Sequence, residues 1–198
     1  MKIKVAILGL GTVGYGVYDI ITNSPYLKNV KVTRILDKDL SRSEEVGGII
    51  TTDYKEILLD KDINVVVETM GAGAFSYKCI KEALVCDKNV ITANKEVIAS
   101  HLDELTAIKN EHKVSLYYEA CVGGGIPIIK PLHLLCLNNT VNSVVGILNG
   151  TTNFILTAME RDNLSFKEAL KVAQEKGFAE ADPKRKSCKE CRSSSKRR

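Results

Sequence analysis

Along residues 1–118 short apolar runs alternate with stretches of helical period. Ile3 to Leu8, Val30 to Leu36, Val65 to Val67 closing on Glu68, Asn89 to Thr92 and Val114 to Tyr118 read as strands. Between them Val13 to Ile21, a short segment from Lys55 to Leu59, Phe75 to Val85 and Leu102 to Glu111 read as helices. Ser100 with Asp103 predicts a capping box that opens the last of these. Strands so nearly all apolar are covered on both faces, and helices between them make the sheet parallel. The predicted fold class is therefore α/β, a doubly wound parallel sheet, and its ligands bind outside the carboxyl ends of the strands.

After Gly125 the pattern changes. A helix-like stretch from Ile128 to Leu137 leads to a single apolar strand, Val141 to Leu148, then a Gly-Thr-Thr turn and helices over Phe154 to Arg161 and Phe166 to Glu175. Ser165 and Glu168 cap the last helix, and Gly177 stops it. These breaks predict a dinucleotide-binding domain over 1–126, an incomplete α+β domain over 127–183 and a tail over 184–198. A lone apolar strand needs a pairing partner, expected from another chain or from sequence that is missing.

Composition narrows the class of protein. The 198 residues are 44% hydrophobic and 26% charged, as in an ordinary soluble domain. The formal charge of +4 is misleading, because residues 184–198 hold eight Lys/Arg and one Glu and leave the body at −3. A mildly acidic body gives no reason to expect nucleic acid, and the basic tail reads as disordered. No apolar run is of transmembrane length, and the first apolar run is too short for a signal peptide. Cysteines 79, 86, 121, 136, 188 and 191 lack a disulfide rhythm, which points to a reducing cytoplasm. Cys188-Lys-Glu-Cys191 is a C-x-x-C without the second pair that zinc would need.

Candidate chemistry sits on the predicted rim. Gly9-Leu-Gly11-Thr12-Val13-Gly14 follows the first strand and opens the first helix, the G-x-G-x-x-G context of a Rossmann-type nucleotide site. Gly9 permits the sharp turn, Gly11 keeps the backbone open to a pyrophosphate, Gly14 lets helix and strand pack closely, and the amides of the first helical turn face the phosphates. Asp37, 23 residues after Gly14, stands where an acid would bond the ribose of NAD, while Lys38 beside it suits the 2′-phosphate of NADP. The two charges argue in opposite directions, with a slight lean to NADP.

Thr92-Ala-Asn-Lys95 ends the fourth strand, so Thr92 and Lys95 can border the cofactor, and the Lys95 ammonium can meet a substrate oxygen or simply begin a helix. In Glu119-Ala-Cys-Val-Gly-Gly-Gly-Ile126, an extended chain would turn the carbonyls of 122, 124 and 126 to one side and suit a hard cation of low charge. The same loop reads equally as an interdomain hinge. Cys121 could be a covalent nucleophile only with a base, His133 being a candidate, and a small apolar packing role is the stronger reading. Asn149-Gly150-Thr151-Thr152-Asn153 suits a carboxylate at a helix start or a plain N-cap, and Glu180 suits a substrate ammonium.

Taken with Tyr118-Glu-Ala-Cys-Val-Gly-Gly-Gly-Ile-Pro-Ile-Ile129, Gly146-Ile-Leu-Asn-Gly-Thr-Thr-Asn153 and Gly177-Phe-Ala-Glu-Ala-Asp-Pro183, these blocks resemble homoserine dehydrogenase in order and spacing over residues 1–183. The resemblance implies NAD(P)-dependent interconversion of L-homoserine and L-aspartate 4-semialdehyde, on the route to threonine, methionine and isoleucine, by a homodimer. It implies Lys95 near the reacting oxygen, Glu180 on the substrate amino group, Gly150 and Thr151 lining the site, and a sodium ion held by Glu119, Val122, Gly124 and Ile126. Three positions depart from the family. Cys121 replaces a usual Ser or Thr, Phe178 a frequent Tyr, and after Pro183 a basic run stands where an acidic segment carrying a catalytic Asp and Lys is expected. That change reads as a truncated, frame-shifted or cut sequence, expected to bind cofactor and to turn homoserine over poorly.

Overall fold

The computed structural model describes residues 2–71, 73–147 and 149–179. Six strands carry the first unit: β1 (Ile3–Leu8), β2 (Val30–Leu36), β3 (Ile50–Thr51), β4 (Ile63–Glu68), β5 (Asn89–Thr92) and β6 (Leu116–Tyr117). They form one sheet in the order β3-β2-β1-β4-β5-β6, with every pairing parallel. The chain steps outward on one side of β1 and then returns to begin again at β4, so the topological switch lies between β1 and β4. Helices α1 (Thr12–Asn23), α2 (Tyr54–Leu59), α3 (Ala74–Val85) and α4 (Lys95–Glu111) make the crossovers.

The run Val5-Ala-Ile-Leu8 is buried throughout because its alternate residues enter different cores. Ala6 and Leu8 meet Ile57 of α2, Ile80 and Leu84 of α3, and Leu105 of α4. Val5 and Ile7 join Val32, Ile35 and Val67 beneath Tyr15, Tyr18 and Ile21 of α1. This is the doubly wound sheet that the apolar runs predict.

Several local expectations change. Helix α4 starts at Lys95, not near Ser100: the Asn94 side chain accepts the Val97 N–H at 3.2 Å, and burial of Val97 and Ile98 commits the first turn to the core. Ser100 and Asp103 are interior to that helix. The two-residue β3 has no pattern of its own and forms only by pairing with β2. The first unit also holds α5 (Ile129–Asn138), whose Pro131 falls in the first turn, where its missing N–H costs nothing.

The chain divides into compact units between Thr140 and Val141, whereas the sequence places a boundary at 126/127. In the second unit α6 (Gly150–Arg161) packs on α7 (Phe166–Glu175) through Ile155, Ala158, Ala169 and Ala173. The Ser165–Glu168 capping box forms as expected. Gly177, at φ +73°, ends α7 with Phe178 N–H on the Ala173 carbonyl and Gly177 N–H on that of Gln174. The strand expected over 141–148 does not form among the described residues, where 141–147 is irregular and Val145 is 96% exposed. Apolar character alone does not make a strand, because its ladder needs a neighbouring edge.

Candidate active site

The first turn is built as its spacing requires. Gly9 has φ +93°, and a Cβ there would press within 3.1–3.3 Å of Met70. Gly14 is tighter: its Cβ would stand 1.9 Å from the Gly9 carbonyl oxygen and 2.7 Å from the Thr69 hydroxyl. Around Gly11, by contrast, nothing lies within 4 Å of such an atom. Gly11 is the N-cap of α1 and supplies no side-chain cap, and the first turn holds no acid. The N–H groups of Thr12, Val13 and Gly14 lie in the stretch that an α-helix leaves without intrahelical acceptors. These features fit a dinucleotide pyrophosphate, which would rest on α1 with Gly11 as its point of closest approach.

Asp37, just past β2, lies beside this turn. Its Oδ2 accepts the Leu10 N–H at 2.5 Å and its Oδ1 the Asp39 N–H at 2.9 Å, so the carboxylate braces the loops that form the site. A depression between them is lined by Leu10, Gly11, Asp37, Asp39 and Arg42. Arg42 escaped the sequence reading because it sits within a polar loop with no spacing rule to mark it. Its guanidinium stacks on Tyr15, 4.1 Å from the ring centroid, and makes two bonds to Glu45, at 2.8 and 3.1 Å. Arg42 and then the Tyr15 hydroxyl hold the Glu45 carboxyl down at about 2. Lys38 is exposed and is not among the residues lining that depression.

At the opposite side of the switch, Thr92 is fully buried at the end of β5 and donates to Glu68 at 2.6 Å. Lys95 is exposed as the first residue of α4. Burial pushes the Glu68 carboxyl up, against the hydrogen bonds from Thr92 and the Met70 N–H that favour its ionised form. Cys121 lies 3.4 Å from the Thr92 carbonyl oxygen, and burial pushes its thiol up to about 11. Burial thus favours the neutral thiol, in keeping with a packing role for Cys121.

The loop after β6 is not extended. Glu119–Cys121 is a turn of 3₁₀ helix, Gly123 and Gly124 have φ +76° and +59°, and the Ile126 N–H donates to the Gly123 carbonyl. The Glu119 carboxylate accepts the N–H groups of Ile128, Ile129 (2.8 Å) and Lys130 (2.9 Å), which hold its pKa below the usual range. Glu119 thus caps α5. The extended run that would align the carbonyls of Val122, Gly124 and Ile126 is absent, and this conformation does not fit the expected sodium site. Among the described residues no cluster of three or more His, Cys, Asp or Glu side chains could hold a metal.

In the second unit Gly150 and Thr151 are the first residues of α6, whose N-cap Asn149 accepts the Thr152 N–H at 2.8 Å. The Thr151 hydroxyl donates to the Phe178 carbonyl. Glu180 and the tail over 184–198 lie outside the described residues. Among those described, no helix is long and apolar enough to cross a membrane.

Known proteins share both parts of the chain. Residues 9–119 match the family model "Homoserine dehydrogenase, NAD binding domain", and residues 127–185 match "Homoserine dehydrogenase". A homoserine dehydrogenase of Synechocystis sp. is 43% identical over 190 residues, covering 92% of this chain and 44% of the relative. One from Bacillus subtilis is 40% identical, covering 91% and 44%. Among solved structures, a homoserine dehydrogenase from Thiobacillus denitrificans superposes with a TM-score of 0.85 at 36% identity, covering 92% of this chain and 44% of that one. A hyperthermophilic archaeal homoserine dehydrogenase in complex with NADPH gives 0.78 at 27% identity, covering 92% and 64%. The chain therefore spans less than half the length of these curated relatives, and within that span its turn, its sheet and both matched segments agree: it belongs to the homoserine dehydrogenase family.

Proposed function

We propose that this chain forms the cofactor-binding part, and some of the substrate-binding part, of an NAD(P)-dependent oxidoreductase that interconverts L-homoserine and L-aspartate 4-semialdehyde. The observation that carries the reading is the bare start of α1 at Gly11, open in front and closed behind by Gly14. When bound, the dinucleotide supplies or accepts the hydride. The chain's own residues bind and orient: Gly9, Gly11, Thr12, Val13 and Gly14 form the phosphate turn, Asp37 braces it, and Thr92 shapes the far rim. Lys95 holds the reacting oxygen of the substrate and moves its proton. Gly150, Thr151 and Glu180 are the substrate-binding residues that the family resemblance implies.

NADP is the preferred cofactor in this reading. The cation that favours it is Arg42 more than Lys38, since Arg42 lines the depression beside Asp37 and a guanidinium suits a phosphate. Sodium remains an implication of the family resemblance alone, and no step uses it. Homodimer formation, a cytoplasmic setting and a place in threonine, methionine and isoleucine synthesis belong to the same proposal.

Two measurements test it: quenching or enhancement of NADPH fluorescence by the chain, and reduction of NADP⁺ dependent on homoserine. Saturable NADPH binding is expected. A chain that leaves NADPH fluorescence unchanged at every concentration overturns the assignment at its first step.

A further inference from the structure

Glu68 closes β4 beside the topological switch and is fully buried, yet the reading above gives it no task. Its Oε1 accepts the Met70 N–H at 2.9 Å and its Oε2 the Thr92 hydroxyl at 2.6 Å. Met70 belongs to the loop after β4 and Thr92 to the end of β5, so one carboxylate ties the carboxyl ends of adjacent strands. The network continues outward. Thr92 Oγ1 accepts the Asn94 N–H at 3.0 Å, and Asn94 in turn caps α4 and donates its side-chain amide to the Gly71 carbonyl at 3.1 Å. The same carbonyl accepts the Ser76 hydroxyl at 2.8 Å, which brings in α3.

Burying a carboxylate is costly unless its oxygens are satisfied, and a neutral group could join two loops with less penalty. A carboxylate here is acceptor-only at both oxygens, which suits the Met70 N–H and the Thr92 hydroxyl, and the side chains of Asn94 and Ser76 favour the same ionised form. A dinucleotide bound across the switch lays its adenosine half beside β2 and its other half over β4 and β5. The network therefore lies under the nicotinamide half and at the root of the helix that begins with Lys95.

On the dinucleotide reading given above, we propose that Glu68 is a positioning residue for the nicotinamide half of the site, fixing Met70–Gly71 and Thr92–Lys95 in one mutual arrangement. Glu68→Gln breaks it selectively. One amide face then presents a donor to a donor: the Met70 N–H, or a Thr92 hydroxyl that already accepts from Asn94 and loses its own acceptor.

The test compares NADPH with ADP-ribose 2′-phosphate, which lacks only the nicotinamide ring. Glu68→Gln is expected to weaken NADPH roughly tenfold while ADP-ribose 2′-phosphate changes less than about twofold, a split that general loss of structure does not produce. Thr92→Val removes the link from its other end and gives the same split, whereas Thr92→Ser keeps the hydroxyl that donates to Glu68 and gives a much smaller one. The Thr92 pair decides the matter if Glu68→Gln does not fold. Equal weakening of both ligands, or no change in either, overturns the positioning role. Failure of the wild type to bind NADPH overturns the dinucleotide reading and this proposal with it.

Discussion

The α-carbon of Gly14 faces the carbonyl of Gly9 so closely that a Cβ would stand 1.9 Å from its oxygen. That carbonyl also accepts the Thr69 hydroxyl at 2.9 Å, so the turn, the first helix and the end of β4 meet at a point with no room for a methyl group. Gly11, three residues earlier, faces open space. The two glycines therefore answer different demands, one from packing and one from the ligand.

This contrast predicts opposite phenotypes. Gly14→Ala overpacks against backbone that cannot yield and should cost about 3 kcal/mol or more, read as a lowered unfolding midpoint. The Cβ of Gly11→Val meets no atom of the protein within 4 Å and sits at an ordinary φ of −71°, so the midpoint should fall far less than in Gly14→Ala, by no more than the loss of a favourable N-cap residue. Its side chain occupies the approach of the pyrophosphate, and NADPH affinity should fall at least roughly tenfold. Equal NADPH affinity in wild type and Gly11→Val would sink the assignment of the turn.

Cofactor choice depends on Arg42. Arg42→Leu should weaken NADPH roughly tenfold and leave NADH within about twofold, because only NADPH carries the phosphate that a guanidinium would read. Lys38→Ala, exposed and not among the residues lining the depression, should shift the ratio less. Paired fluorescence titrations decide it, and equal weakening of both cofactors by Arg42→Leu removes its role in reading the phosphate.

The difference between these two cations shows where the sequence was legible. β1, its turn and α1 are local: a six-residue strand with five apolar residues, three glycines at fixed spacing and an amphipathic helix each report on their neighbours. Arg42 is brought to Gly11 only by the fold of a loop, and nothing in its spacing announces this. Glu119 is a sharper case, since its carboxylate reaches nine to eleven residues ahead to cap α5, beyond any capping rule read from adjacent positions. The start of α4 was missed because Ser100 and Asp103 mimic a cap while burial of Val97 and Ile98 decides the true start. Residues 141–147 failed for a third reason, that strand formation belongs to a pair of segments and not to one.

Acid should expose the cluster that holds Arg42. The folded pKa of Glu45 is depressed to about 2, chiefly by Arg42, so its contribution is fully present above the ordinary carboxylate pKa and is lost as pH falls through about 2. Glu45→Gln should therefore unfold at a lower temperature than wild type near pH 7. The gap should narrow below about pH 4.5 and close below pH 2. A gap that stays constant down to pH 2 would show that Glu45 gains nothing from the ion pair.

The cysteines give the last prediction, because a thiol alkylates as its thiolate. Cys121 is partly accessible, but burial pushes its pKa up to about 11, and its sulfur lies against the Thr92 carbonyl, which offers no proton to stabilise a thiolate. Cys79 is fully buried and pushed up further, to about 12. Cys86 and Cys136 are exposed. Near pH 8, among the four described cysteines, iodoacetamide should modify Cys86 and Cys136 well before Cys121, with Cys79 slowest, and the rate at Cys121 should climb only as pH approaches 11. Site-resolved mass spectrometry over a pH series reads this order directly. Cys121→Ser should also leave NADPH binding unchanged, as expected of a side chain that packs against β5 and performs no covalent step. Preferential labelling of Cys121 at pH 8 would mean a stabilised thiolate at that position, and the chain would then have to be reconsidered as an oxidoreductase acting through a covalent thioester.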